Sequence, residues 1–271
     1  MMRELSAKEK RLKAEMERQI AGDEWTWRAR GRQVFAMLPS DPRCALCLAP
    51  FEGVGGSLVK AVLNKRRSSM SPLFCNHCEE RAKRLGFSVE VEMSMLFADI
   101  RGSTPLAEGM DPVEFSQMIN RFYTETTHVL AHSYAVIDKL AGDQVSGYYV
   151  PGLAGMDFAQ KSVKAAQDVL RVTGHADPQG PWVPVGVGIN TGKAVFGTVG
   201  SDEGMIEITA LGDAANVAAR LASQAAAGEA ILSVSTVQKA GVENSNLEKR
   251  TVELKGKSEP LDVWVMRVGP G

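Results

Sequence analysis

From residue 91 onward, hydrophobic and polar positions follow in turn the spacing of strands and of helices. The longest helical pattern begins after Asp111-Pro112, where an N-cap residue precedes a proline in the first turn. The alternating runs VIDKL and QVSGYYV flank Gly142-Asp143, which is typical of a hairpin turn. The pattern predicts helices at 112–130, 157–171 and 213–226, a hairpin over 136–150, and strands at 91–98, 183–190, 193–199, 205–209, 248–255 and 261–268.

The order of these elements predicts the fold class. A β-α-β-β-α-β succession is typical of a ferredoxin-like α+β domain, a sheet with helices on one face, and further strands follow it here. Ahead of this domain, residues 4–20 are rich in helix formers and carry a sparse apolar stripe. This stripe is compatible with a helix that dimerises and with a helix that docks on the protein or is solvated. We expect Trp25 and Trp27 to pack this helix against other parts of the protein.

Charge is distributed unevenly along the chain. The 271 residues include 31 basic and 32 acidic side chains, and the net charge of -1 gives no general attraction to nucleic acid or to a membrane. Residues 1–92 carry +5, whereas residues 93–271 carry -6. This change predicts a domain boundary near Glu92.

The chain is long enough for one large domain and a small one. We predict an N-terminal helical segment over 1–43, a cysteine-containing module with a linker over 44–90, and the large domain over 91–271. No apolar run reaches the roughly 18 residues of a membrane helix, and the first residues lack the apolar stretch of a signal peptide. We therefore expect a cytoplasmic location and no membrane span.

Four cysteines occur as two Cys-x-x-Cys pairs, Cys44 with Cys47 and Cys75 with Cys78. Because the cytosol keeps thiols reduced, metal binding is favoured over disulfides. Two tight turns with four thiolates can close a tetrahedral site, for which Zn²⁺ is favoured and an iron–sulfur cluster is the alternative. The intervening basic residues have no interleaved aromatic side chains, so a solvated loop is favoured over a nucleic-acid site.

Two aspartates indicate phosphoryl chemistry. Asp99 ends the strand-like run MSMLFAD, and Asp143 is expected at the exposed tip of the hairpin. Two carboxylates beside strand ends are typical of a two-metal site, although either aspartate alone is more typical of a turn. Asn216 and Arg220, four residues apart, leave the same face of the predicted helix.

These residues lie in four motifs that occur in the order of a known family. The motifs are FADIRGST (97–104), KLAGD (139–143), GDAANVAAR (212–220) and LKGK (254–257). Over about residues 91–268 the chain resembles the class III nucleotidyl cyclases. The resemblance implies that Asp99 and Asp143 bind two Mg²⁺ or Mn²⁺ ions, with the carbonyl of Ile100 as a further ligand.

The resemblance also implies contacts with a nucleotide. Asn216 would orient the ribose, and Arg220 would stabilise charge on the α-phosphate. Lys255 would contact the terminal phosphates, with Lys257 as a second candidate. Backbone N–H groups of the bend from Arg101 through Gly102 and Ser103 to Thr104 suit the β- and γ-phosphates.

Base choice follows from two positions. In this family Lys with Asp or Thr accompanies adenine, and Glu with Cys accompanies guanine. The chain has Lys139 and Thr209, and a lysine donor complements the acceptor N1 of adenine. The resemblance therefore implies ATP as the substrate.

The family builds its site from two chains, which implies a homodimer with two sites at the interface. The run VGVGINTGKAVFGTVG (185–200), interpreted as a hairpin, is the expected dimer contact. The leading hypothesis is an adenylate cyclase whose cysteine module is structural or sensory and open to a regulatory partner. A catalytically silent nucleotide-binding regulator on the same fold is the alternative. A metal-ribbon nucleic-acid binder is disfavoured by the near-neutral charge.

Overall fold

The computed structural model describes residues 5–22, 30–68, 71–200, 206–257 and 259–269, without the side chains of residues 30–32 and 139. Trp25 and Trp27 lie outside these residues. The helices are α1 (Ala7–Ala21), α2 (Arg30–Met37), α3 (Gly53–Leu63), α4 (Asn76–Leu85), α5 (Ser103–Gly109), α6 (Pro112–His132), α7 (Pro151–Ala154), α8 (Phe158–Val172), α9 (Asp213–Gln224) and α10 (Val234–Ala240). The strands are β1 (Ser88–Ile100), β2 (Val136–Ala141), β3 (Gln144–Tyr149), β4 (Val185–Gly200), β5 (Ile206–Leu211), β6 (Glu229–Ser233), β7 (Glu248–Val252) and β8 (Leu261–Arg267).

The sheet has the strand order β2-β3-β1-β4-β6-β8-β7, and β5 pairs with β4 outside this path. Strand β3 is antiparallel to both β1 and β2. The first four strands therefore have the order of a ferredoxin-like fold, and the predicted fold class is confirmed. The remaining strands extend the sheet through the parallel pair of β4 with β6.

The two strands predicted at 183–190 and 193–199 are one continuous strand, β4, so the interpretation of residues 185–200 as a hairpin was wrong. The run Asn190-Thr191-Gly192 suggests a turn by composition. Asn190 instead donates to the carbonyl of Ala214 at 2.9 Å, and the Thr191 hydroxyl lies 2.7 Å from that of Ser94. Because buried partners satisfy these polar side chains, the backbone stays extended.

Residues 229–240 were missed by the sequence pattern. They form β6 and α10, and all five residues of β6 are buried. A five-residue strand that is buried on both faces shows no alternation of buried and exposed positions to detect. By contrast, Asp111 caps α6 as predicted, accepting from the backbone N–H of Val113 at 2.9 Å.

The chain divides into two compact units. The first comprises Met1–Val91, Val150–Met156 and Val195–Leu211, and the second comprises Glu92–Tyr149, Asp157–Ala194 and Gly212–Gly271. Among the described residues, no helix combines the length and apolar character that a membrane-spanning segment requires.

In the first unit, α1 begins with a capping box between Ser6 and Glu9. Its apolar residues Met16 and Ile20 are buried, and the helix packs against α7 and α4. A Cβ atom at Gly152 would lie 1.7 Å from the carbonyl oxygen of Gln19, so this contact between α7 and α1 requires glycine. The buried stripe of α1 therefore packs within its own chain.

In the second unit, ion pairs of Glu229 on β6 connect this strand with Arg250 on β7 and Arg267 on β8. The Glu229 side chain is only 5% exposed, and it accepts two hydrogen bonds from Arg250, both 3.0 Å, and one from Arg267. Hydrogen bonds from Arg250 lower the pKa of Glu229 to about 2, because their effect is larger than that of burial, which raises the pKa. The ionised carboxylate therefore stabilises the folded chain.

Replacing Glu229 by Gln should lower the free energy of unfolding by about 3 kcal/mol near pH 7, because two arginines lose a buried partner. The folded pKa lies below the unfolded one, so this stabilisation is complete above about pH 5 and is lost as the pH falls toward 2. Urea unfolding of both proteins between pH 3 and pH 7 measures the difference.

The matched control is Asp168→Asn, because Asp168 forms surface ion pairs with Lys164 and Arg171. Its effect should stay below about 0.5–1 kcal/mol. Equal effects of the two substitutions at every pH would contradict the role given to Glu229.

Candidate functional site

The pairing of β1 with β3 brings the two predicted metal-binding aspartates together. Asp99 lies opposite Gln144 in the register of the two strands. The backbone N–H of Ile100 donates to the carbonyl of Asp143 at 3.0 Å. Asp99 and Asp143 therefore stand at the same end of neighbouring strands, one residue apart in register.

These two carboxylates repel each other. Burial, and then the charge of Asp143, raise the pKa of Asp99, while Arg101 acts in the opposite direction. The Asp99 side chain is 16% exposed and accepts from Gln144 at 3.3 Å. Two neighbouring carboxylates that are partly accessible to solvent provide the oxygen ligands that Mg²⁺ prefers.

Asp143 is half-buried, so its expected position at an exposed tip was only partly right. Gly142 forms the exposed tip, with a φ of +63° that favours glycine. The hydroxyl of Ser103 donates to the Asp143 carboxylate, and Tyr123 donates to the carbonyl of Gly142 at 2.6 Å. The turn is therefore held by side chains from α5 and α6.

The predicted phosphate-binding bend lies directly beside the aspartates. Gly102 has a φ of +67° and is the N-cap of α5, whose first residues are Ser103 and Thr104. The N–H groups of residues 102–104 begin this short helix. The prediction was wrong for Arg101, because its backbone N–H donates to the carbonyl of Pro184 at 2.8 Å. Sequence reasoning missed the side chains of Ser103 and Arg101, although both stand in the same motif as Asp99.

The predicted Asn216 and Arg220 project from α9. Asn216 is exposed and Arg220 is half-buried, while Val217 and Leu221 are buried, as the helical spacing predicted. The guanidinium of Arg220 lies over Gly256, where an added Cβ would be 3.5 Å from Nη2.

The two candidate lysines differ in their surroundings. Lys257 forms an ion pair with Asp213 at 2.5 Å, whereas Lys255 is exposed. Neither Asp99 nor Asp143 has a hydrogen bond or ion pair to Asn216 or Arg220 within the described part of the chain. The predicted site residues are therefore two groups, the aspartates and the α9 side chains, without a direct polar contact between them in the described residues.

The two predicted base-reading positions are not brought together by the described contacts. Thr209 lies on β5 in the first unit, is 9% exposed and pairs in register with Gly197. Lys139 lies on β2 in the second unit, and its side chain is outside the described residues.

The four cysteines converge as the sequence predicted. Cys44 and Cys47 lie on a turn that ends at Leu48, which has a φ of +63°, while Cys75 precedes α4 and Cys78 lies in its first turn. All four sulfur atoms lie within 4.8 Å of one another. Mutual hydrogen bonding, first with Cys44, lowers the pKa of Cys47 to about 7, while burial raises that of Cys44.

This sulfur arrangement fits one tetrahedral ion. Bonds of about 2.3 Å to one ion place the sulfur atoms about 3.8 Å apart, and those of Cys47 and Cys75 are 3.8 Å apart. A cluster would spread its cysteines over several irons and separate their sulfurs further. Lys65 lies 3.8 Å from the sulfur of Cys75, and Arg81 lies 3.8 Å from the sulfur of Cys78. Four thiolates around a divalent ion would carry a net negative charge, which these two cationic side chains would offset.

If the cysteines hold a structural ion, Cys75→Ser should release it and unfold the surrounding module, because such small segments depend on their metal. Elemental analysis should find about one ion per chain, and limited proteolysis should cut the variant within 44–78. The matched control is His77→Ala, an exposed neighbour that is not one of the four ligands. A metal-free chain with equal protease resistance in all three proteins would contradict the assignment.

The sequence is similar to those of known nucleotide cyclases. The family model of the adenylate and guanylate cyclase catalytic domain matches residues 88–267, about two thirds of the chain. An adenylate cyclase of Anabaena cylindrica is 28% identical over 222 residues, which are 78% of this chain and 43% of that protein. A terminal-differentiation-specific adenylate cyclase of Dictyostelium discoideum is 30% identical over 188 residues, 66% of this chain and 9% of that protein. The chain thus spans less than half the length of these curated relatives.

Among the solved structures that resemble this chain, one is named a guanylyl cyclase and another an adenylyl cyclase. The guanylyl cyclase Cya2 superposes with a TM-score of 0.58 at 26% identity, covering 67% of this chain and 94% of that one. The adenylyl cyclase CyaB from P. aeruginosa superposes with a TM-score of 0.57 at 25% identity, covering 66% and 94%. Overall structural similarity therefore does not distinguish ATP from GTP.

Proposed function

Because this chain belongs to the family of adenylate and guanylate cyclase catalytic domains, we propose that it is an adenylate cyclase, which converts ATP into 3′,5′-cyclic AMP and pyrophosphate. The observation that carries the proposal is the pair Asp99 and Asp143, held at adjacent strand ends beside the bend that begins α5.

Asp99 and Asp143 would hold two Mg²⁺ or Mn²⁺ ions, with the carbonyl of Ile100 as a further ligand. When bound, these ions favour deprotonation of the ribose 3′-hydroxyl and neutralise the pyrophosphate leaving group. The chain itself positions the triphosphate, through the backbone N–H groups of 102–104 at the start of α5.

Arg220 would stabilise the charge that develops on the α-phosphate, and Asn216 would orient the ribose. The packing of the guanidinium over Gly256 supports this role, because it limits the positions that Arg220 adopts before substrate arrives. Lys255 is the better candidate for the terminal phosphates, since Lys257 is engaged by Asp213.

The two groups of site residues would meet across the interface of a homodimer. Each chain carries both groups without direct contact between them, so two copies complete two equivalent sites. The ribbon of β4 and β5 supports a contact with a second copy, because Val195, Val199 and Leu211 are 37%, 42% and 52% exposed. Val195 and Leu211 are cross-strand neighbours, which makes this apolar surface continuous.

For the four-cysteine centre we infer a single structural Zn²⁺, because one buried tetrahedral site of four sulfurs is typical of this ion. The centre lies outside the catalytic groups in sequence. A sensory role or a regulatory partner at this module is a further hypothesis that metal content alone does not test.

Mixing two inactive chains tests the shared site. Asp143→Ala removes a metal ligand and Arg220→Ala removes the transition-state cation, so each homodimer should lose at least about a hundredfold in kcat. A heterodimer of the two variants regains one undamaged site. Co-refolded equimolar chains should therefore form cyclic AMP at about a quarter of the wild-type rate, because half of the dimers are mixed and each of these has one of its two sites intact.

The control is each variant refolded with itself, with dimer content matched by light scattering. No recovery in the mixture would contradict the cross-chain site. Nucleotide binding without turnover in the wild type would favour a silent regulator.

Exchange of the base-reading pair tests the choice of ATP. Lys139→Glu with Thr209→Cys inverts the donor and acceptor pattern toward the purine edge, so the ratio of kcat/KM for ATP to that for GTP should fall by about tenfold or more. The ratio is measured at fixed metal concentration, since the absolute rate is also expected to fall. A ratio equal to that of the wild type would remove both residues from base recognition.

A further inference from the structure

Arg101 joins the aspartates to the helix that carries Asn216 and Arg220. Its Nη2 atom forms an ion pair with Oδ1 of Asp99, and its Nη1 atom donates to the backbone carbonyl of Ser223 at 2.9 Å. The side chain is 22% exposed, and its buried Nε atom has no hydrogen-bond partner among the residues that the structure describes. One guanidinium thus spans the end of β1 and the last turn of α9.

The ion pair engages part of the negative charge that would hold a divalent cation. Asp99 and Asp143 would hold such a cation through their carboxylates, and a guanidinium on Oδ1 of Asp99 would compete with it for the same charge. Arg101 and a divalent cation would therefore compete for the Asp99 carboxylate. Binding of the cation would weaken the contact of Nη2 with Asp99.

The released guanidinium has acceptors nearby. Ser223 lies in the last turn of α9, where unpaired carbonyls and the negative end of the helix dipole attract cations. The same residue is bonded to the rest of the helix, because its hydroxyl donates to the carbonyl of Arg220 at 2.8 Å. A continuous line of contacts therefore runs from Asp99 through Arg101 and Ser223 to Arg220.

From this geometry we propose that Arg101 is a positioning residue that couples metal occupancy at Asp99 to the placement of α9. The inference rests on the proposed function, under which α9 serves the site shared with the second copy. Metal bound at one site would then prepare the helix that completes the other. The same ion pair lowers the metal affinity of the nucleotide-free chain.

The test uses the full chain, Mn²⁺ alone and two readouts that do not depend on turnover. Electron paramagnetic resonance measures Mn²⁺ affinity, and hydrogen exchange measures protection of the α9 amides with and without Mn²⁺. In Arg101→Met the affinity should rise about three- to tenfold, because the competing cation is gone. Mn²⁺ should alter exchange in α9 of the wild type and leave α9 of the variant unchanged.

Arg101→Lys keeps the charge and should bind Mn²⁺ with nearly wild-type affinity, and Arg101→Gln is the second neutral variant if the methionine variant does not fold. Arg171→Met is the matched control, since Arg171 pairs with Asp168 on the surface of α8. It should change neither readout.

An unchanged or weaker Mn²⁺ affinity in the neutral variants, or the same α9 response in variant and wild type, would overturn the coupling role. If the wild type forms cyclic AMP while these results occur, the inference alone fails. If the wild type neither binds Mn²⁺ nor turns over ATP, the proposed function fails with it.

Discussion

Repulsion between two neighbouring carboxylates is the constraint around which the candidate site is built. The antiparallel register of β1 and β3 fixes Asp99 and Asp143 at one end of the sheet, and the buried strands behind them prevent the pair from separating. Arg101 offsets part of this repulsion. The sheet therefore holds two like charges that a bound cation would offset further.

The four-cysteine centre, in the other unit, likewise holds groups of like charge close together. Four sulfur atoms within 4.8 Å of one another cannot all ionise in a buried site unless a cation joins them. Lys65 and Arg81 supply charge outside the ligand set. In both places the fold holds like charges together, so a cation that binds there would also stabilise the folded chain.

Much of the fold follows from local patterns, and the exceptions have physical reasons. The capped helix after Asp111 and the hairpin around Gly142 are set by nearby residues, and both were predicted. Asn190 and Thr191 resemble turn residues, but buried partners distant in sequence keep them extended. The two aspartates of the candidate site could be found from motifs, whereas the contact of Arg101 with α9 depends on packing that no local pattern encodes.

The central claim is that one chain carries two incomplete halves of a catalytic site. The most direct test measures cyclic AMP and pyrophosphate formed from ATP and Mg²⁺ over a range of protein concentrations, with the dimer fraction determined by sedimentation at each. The account predicts equal amounts of the two products and a specific activity that falls on dilution in proportion to the dimer fraction. Absence of cyclic AMP, or a constant specific activity where the chain is monomeric, would contradict it.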